Sequence, residues 1–259
     1  MINRSFQRSA ALIITVSTLV VGIHAQVSWA GKPYTQWTKG EAEAVLNDSP
    51  WASRREVRIR FDKEVQVAAG SYSGTSAASA ANAQTEVGRD MPVDFVFTLR
   101  LRSALPVRQA LVRLRQLNID RAKMKNTDWA AYDAQTKGLL DCPACAGNYV
   151  ITLGSKSTSS PGADAVYSVF KGGRLEDLQR YVYIANERGE RRLLVHFVPP
   201  KAPSDEATFF FPRLDEKGAP LLTPENKELL INLSDNQVNP ITNFKIDVST
   251  LMLNGKVEF

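Results

Sequence analysis

The sequence predicts an α+β fold, mostly antiparallel β, for which a sandwich is one arrangement, with a helical insertion between strands and a short N-terminal helix. Three observations predict it. Apolar and polar residues alternate over many short runs bounded by Gly, Pro, Asn and Asp, the pattern of half-buried strands. One stretch, about 104–145, repeats its apolar residues at helical spacing instead. Strands and helices do not alternate regularly, which argues against a doubly wound parallel sheet or an α/β barrel.

Residues 1–30 read as a secretory leader. Arg4 and Arg8 precede a 14-residue run, 10–23, that is apolar apart from Ser and Thr, and Ser28 and Ala30 then flank Trp29. Charge, short apolar run and small-x-small exit is the layout a signal peptidase cuts, here near Ala30, with Ala25 the other candidate. A spanning helix needs about 20 apolar residues, so no transmembrane anchor is expected after cleavage. The mature protein is expected to be periplasmic or secreted.

Residues 31–55 read as an N-terminal arm with one helix. Thr38 followed by Glu41 has the spacing of a capping box, Ala42, Ala44, Val45 and Leu46 suit a helix, and Asn47-Asp48-Ser49-Pro50 stops it. Trp37 and Trp51 are expected to pin the arm to the body, a single β-rich domain over 56–259. There, Val57, Ile59 and Phe61 alternate with Arg58, Arg60 and Asp62, and Val65 and Val67 resume the pattern, a strand with a basic outer face. The small and polar residues of 68–88 predict a flexible loop. Val93, Phe95, Phe97, Leu99 and Leu101 make a second, longer strand.

In the insertion, Pro106 suits a first helical turn, and Val107, Ala110, Leu111, Leu114 and Leu117 share a face. Thr127 is expected to cap a second helix through Trp129, Tyr132, Thr136 and Leu139, ending at Cys142-Pro143-Ala144-Cys145. A strand at 149–153 and a flexible loop at 154–163 follow. Beyond them, strands are expected at 181–185 and 191–198, joined by Asn186-Glu187-Arg188-Gly189, then at 207–211, 229–233 and 244–248. A last hairpin joins 251–253 to 256–259 through Asn254-Gly255. The stretches from Trp37 to Trp51 and from Cys142 to Leu153 resemble an uncharacterised family of exported bacterial proteins. The resemblance implies secretion and assigns no activity.

Composition narrows the chemistry. The chain has 32 basic and 27 acidic side chains, a formal charge of +5. The leader holds two of the basic ones, Arg4 and Arg8, and no acid, so the mature charge is near +3. That is too small to imply a polyanion partner by itself. His24 leaves with the leader, so His196 is the sole mature histidine, which excludes a multi-histidine metal site and obliges any Ser-His or Cys-His pair to use it. No Gly-x-Ser-x-Gly elbow, phosphate loop or dinucleotide fingerprint is present. No cofactor and no metal are expected.

Cys142 and Cys145 are expected to form a structural disulfide in an oxidising compartment. Thiol–disulfide enzymes set such a pair at a helix N-terminus, which lowers the first thiol's pKa. Here the pair follows a helix, where the dipole opposes a thiolate. A periplasmic thiol–disulfide protein is therefore the alternative reading. The leading one is an exported, non-enzymatic binding module for an acidic protein or an anionic envelope polymer. Its candidate residues are Arg58, Arg60, Arg100 and Arg102, which adjacent strands can bring onto one face, with Arg108, Arg113 and Arg115 on the surface of the following helix. Aromatic interleaving suited to base stacking is absent, so no nucleic acid is expected. A carboxylate-based glycan hydrolase is a further alternative, with Glu86, Asp90 and Asp94, Asp205 and Glu206, or Asp215 and Glu216 as acid pairs.

Overall fold

A computed structural model describes residues 29–59, 93–119, 123, 125–233, 243–253 and 255–259. The leader before Trp29, Arg60, Glu86, Asp90, the loop 68–88 and Asn254 lie outside the described residues, as does the continuation of the first strand past Ile59. No helix among the described residues is long and apolar enough to cross a membrane.

The arm forms as its local signals require. Helix α1 spans Lys39–Asn47, and Thr38 and Glu41 close a full capping box, each side chain bonding the other's backbone amide. Ala42, Val45 and Leu46 are buried. Around them three indoles meet: Trp29 lies 5.6 Å from Trp37 and 5.9 Å from Trp51, centroid to centroid. Trp37 Nε1 donates to Trp29 O, and Trp51 Nε1 donates to Glu258 O, tying the arm to the last residues of the chain.

Strand β1, Ala52–Ile59, pairs antiparallel with β2, Val93–Leu101. Helices α2 (Leu105–Asn118), α3 (Asn126–Asp141) and α4 (Pro143–Gly147) then precede β3, Asn148–Ser157. Helix α3 starts at Asn126 with Lys125 at its cap, so Thr127 falls inside the first turn rather than capping it. Helix α4 contains Cys145 and has Cys142 at its N-cap, so the pair does not simply follow a helix as expected but also opens a short one that leads directly into β3. Of the loop expected at 154–163, residues 154–157 instead continue β3, held by β2 with Phe95 opposite Ser157, and turns and bends begin only at Thr158.

The short helices α5 (Ala165–Phe170) and α6 (Leu175–Leu178) come next and are too brief for periodicity to reveal. Asp164 caps the first by accepting from Tyr167 N. Strand β4, Tyr183–Asn186, pairs with β5, Arg191–Leu193, across the predicted turn, where Gly189 takes a φ of +81°. The run 191–198 does not stay one strand. Leu194 is fully buried, and the chain then joins the other sheet as β6, His196–Val198. Three successive apolar residues, Leu193, Leu194 and Val195, break the alternation a single strand would need.

Strands β7 (Ala207–Pro212), β8 (Glu228–Asn232) and β9 (Phe244–Asp247) follow, then the two-residue strands β10 (Met252–Leu253) and β11 (Lys256–Val257). The larger sheet runs β1-β2-β3-β7-β6 and the smaller β5-β4-β8-β9, all pairs antiparallel. Phe95, Phe97, Leu99, Ile151, Leu153, Phe209 and Phe211 from the first sheet share one apolar cluster with Ile184, Leu229, Ile231, Phe244 and Ile246 from the second. Asn232 is buried and its amide donates to Tyr181 O at 2.6 Å, so the Asn-Leu-Ser triplet it begins offers no free acceptor for a glycan.

Candidate functional site

The β1–β2 register decides which arginines meet. Arg58 stands opposite Asp94, and Ala52 opposite Arg100, so Arg58 and Arg100 share the outer face but at opposite ends of β2. Six residues of strand separate them, about 20 Å. Arg58 forks onto Asp94, with Nε donating at 2.7 Å and Nη2 at 3.1 Å. That contact holds the Asp94 carboxyl below the ordinary value, the Arg58 hydrogen bond being the chief cause.

Most of the other predicted arginines bond backbone or side chains of this chain. Arg100 donates to Leu46 O at 2.7 Å, to Asn47 Oδ1 at 2.9 Å, and to Glu206. Arg108 donates to Leu140 O, bracing α3 on α2. Arg113 donates to Trp37 O at 2.6 Å, holding the arm. These three act as tethers between distant segments, Arg100 as a fork and Arg108 and Arg113 through one bond each to a carbonyl.

Arg102 and Arg115 differ. Arg102 follows β2 in the turn into α2, and Arg115 lies in the last turn of α2. Arg102 N donates to Arg100 O at 3.1 Å, but neither guanidinium makes a hydrogen bond among the described residues. Burial lowers the Arg102 pKa, the Glu206 carboxylate opposes that, and the charge of Arg115 pushes it down further. A half-buried cation therefore sits beside a second cation with only a shared acid nearby.

Glu206 is the residue that sequence reasoning did not connect to the arginines. It enters from the start of β7 and crosses β3 at Gly154, where an added Cβ would lie 3.3 Å from Glu206 Cγ. The absent side chain at Gly154 lets the carboxylate reach Arg100. The arrangement thus has one saturated arginine, one acid, and two guanidiniums left to bind. Planar forks of this kind match phosphate, sulfate or carboxylate oxygens in pairs.

The other candidates fall elsewhere. His196 is exposed on edge strand β6, its ring 4.9 Å from Phe210. Asp205 accepts from Lys201 N and Ala202 N, and Asp215 from Lys217 N and Ala219 N, so both acids shape turns. Among the described residues no three His, Cys, Asp or Glu side chains group as a metal site. An open depression of about 320 Å³ on the outer face of the smaller sheet is lined in part by Glu187 and Glu228. Glu228 pairs with Lys245 at 2.5 Å. Desolvation pushes the Glu187 carboxyl up, yet hydrogen bonds from its own backbone, Asn226 and the backbone of Glu228 bring it below the ordinary value. A general acid needs the opposite shift.

Cys142 and Cys145 stand at disulfide distance, their Cα atoms 5.3 Å apart. Cys142 has a left-handed backbone, φ 40°, and is both the end of α3 and the start of α4. Cys145 is buried, and its carbonyl accepts from Arg213 Nε at 2.9 Å. No family model matches the chain, and no curated protein or solved structure matches it either.

Proposed function

We propose that this chain is an exported, non-enzymatic binding module that takes anionic groups of a cell-envelope polymer at Arg102 and Arg115. One observation carries the reading: the half-buried Arg102 guanidinium has no hydrogen-bond partner among the described residues and feels the like charge of Arg115. Partly desolvated charges are costly unless paired, and native structures leave few of them so. An incoming phosphate, sulfate or carboxylate supplies the missing acceptors and relieves the repulsion between the two cations. Export is supported by the leader-like sequence of residues 1–30 and by the disulfide-distance pair, which persists in an oxidising compartment.

The test uses soluble dextran sulfate as the anionic polymer and an acidic polypeptide, polyglutamate, as the competing class. The purified protein is expected to bind dextran sulfate at low salt and to release it as salt rises. The double variant Arg102→Ala/Arg115→Ala is expected to bind at least fivefold more weakly, while Arg54→Ala, an exposed arginine on β1, binds as the parent does. Equal binding by the double variant removes the site. Binding of polyglutamate alone assigns the face to an acidic protein instead.

A further inference from the structure

We infer that leader processing occurs between Ala25 and Gln26, so that Trp29 remains in the working protein. The inference rests on the export reading and deepens it. By residue type alone, Ser28-Trp29-Ala30 is the better exit, since both flanking residues are small. The fold argues against that cut. Trp29 is 6 % exposed and belongs to the main apolar cluster. Its ring meets both Trp37 and Trp51, the two residues that fasten the arm to the body.

Its backbone is used as well. Trp29 O accepts from Trp37 Nε1 at 3.1 Å and from Lys32 N at 3.2 Å. A cut after Ala30 would remove the ring, open a cavity between two tryptophans, and leave the Trp37 indole with Lys32 O alone, at 3.2 Å. A cut after Ser28 keeps the ring but puts a new ammonium on a buried residue, which is unfavourable, and it places Gln26 where a small residue is needed. A cut after Ala25 keeps a small residue at the bond, puts apolar Ile23 rather than polar Gln26 at the second position the peptidase reads, and leaves three residues, 26–28, between the new terminus and the buried ring.

The full-length chain is expressed in a Gram-negative host, recovered from the periplasm, and read by intact mass and N-terminal peptide sequencing. A mass for residues 26–259 is expected, either as such or lowered by one ammonia. The second form arises when the new α-amine of Gln26 attacks its own side-chain amide carbonyl and expels ammonia. A terminus at Gly31 or Trp29 overturns the inference while leaving export intact. An uncut cytoplasmic chain overturns export and the inference with it. As an independent check, Trp29→Ala in the exported protein is expected to lower the melting temperature by roughly 5–15 °C. An unchanged melting temperature would remove the packing argument.

Discussion

Arg100 and Glu206 form an ion pair across the outer face of β3, over Gly154, and the same carboxylate lies close enough to Arg102 to act on its charge. The acid is thus shared between a saturated arginine and an unsaturated one. Glu206→Gln separates the two effects. Stability should fall by roughly 1–2 kcal/mol, because a partly buried charged hydrogen bond is weakened. Binding of dextran sulfate should strengthen, because the carboxylate no longer repels the incoming anion. Denaturant melts and binding titrations on the same variant check both signs. If both fall together, Glu206 is only a structural residue.

The Arg58–Asp94 fork predicts part of the acid response. Asp94 titrates below its ordinary value of 3.8 in the folded chain, held there first by the Arg58 hydrogen bond. Asp247 is lowered mainly by the Ser249 side chain, and Asp215 mainly by the backbone amide of Ala219. A folded pKa below the unfolded one gives stability that is complete above the unfolded value and lost as pH falls through the folded one. The window therefore lies below about pH 4. Asp94→Asn should flatten the stability–pH profile there and leave the profile above pH 5 parallel to the parent's. A profile that keeps its full acid slope would assign the loss to other carboxylates.

These two pairs show what a linear reading can and cannot reach. The alternation through Val93–Leu101 is local, and the strand it predicts forms over those residues. The capping box at Thr38 is equally local. The partners of the arginines are not. Glu206 is 106 residues from Arg100, and Leu140 is 32 from Arg108. A cluster of positive charge along the chain gave no sign that Arg100, Arg108 and Arg113 would each satisfy a carbonyl in another segment. Arg58 and Arg100 share a face as adjacency implies, but antiparallel register sends them to opposite ends of it. Asp164, which accepts from Ser155 Oγ, Tyr167 N and Ser204 N, joins three segments that a linear reading leaves apart.

The cysteine pair is expected to be structural. Its second member is buried, and the carbonyl beside that sulfur is fixed by Arg213. The closed loop is short, so the double variant Cys142→Ser/Cys145→Ser should lose only about 2 kcal/mol in urea unfolding. The reduction potential should lie below about −300 mV, the range of stable structural bridges. A potential between about −270 and −120 mV would instead place the pair among exchange catalysts and revive the thiol–disulfide reading.

Arg213 makes the most far-reaching tether. Its Nε donates to Cys145 O, its Nη2 donates to Phe259 O, and its guanidinium lies 4.7 Å from the centre of the Tyr149 ring. The Tyr149 hydroxyl in turn accepts from Leu222 N, and its ring packs 5.9 Å from Phe259. One side chain thus joins the disulfide loop, the end of β7 and the last residue. Arg213→Met keeps the apolar stem but strands two carbonyls and removes the cation from the ring. The expected cost is roughly 2–4 kcal/mol. Arg213→Lys should recover part of it, since an ammonium can still sit over the ring but cannot fork to both carbonyls. Hydrogen exchange distinguishes this from a general loss of stability. Glu258 N, bonded to Leu251 O, should lose protection first, while the amides pairing β2 with β3 should change only by the global amount. Uniform loss across both sets would mean that Arg213 does not specifically anchor the C-terminal residues.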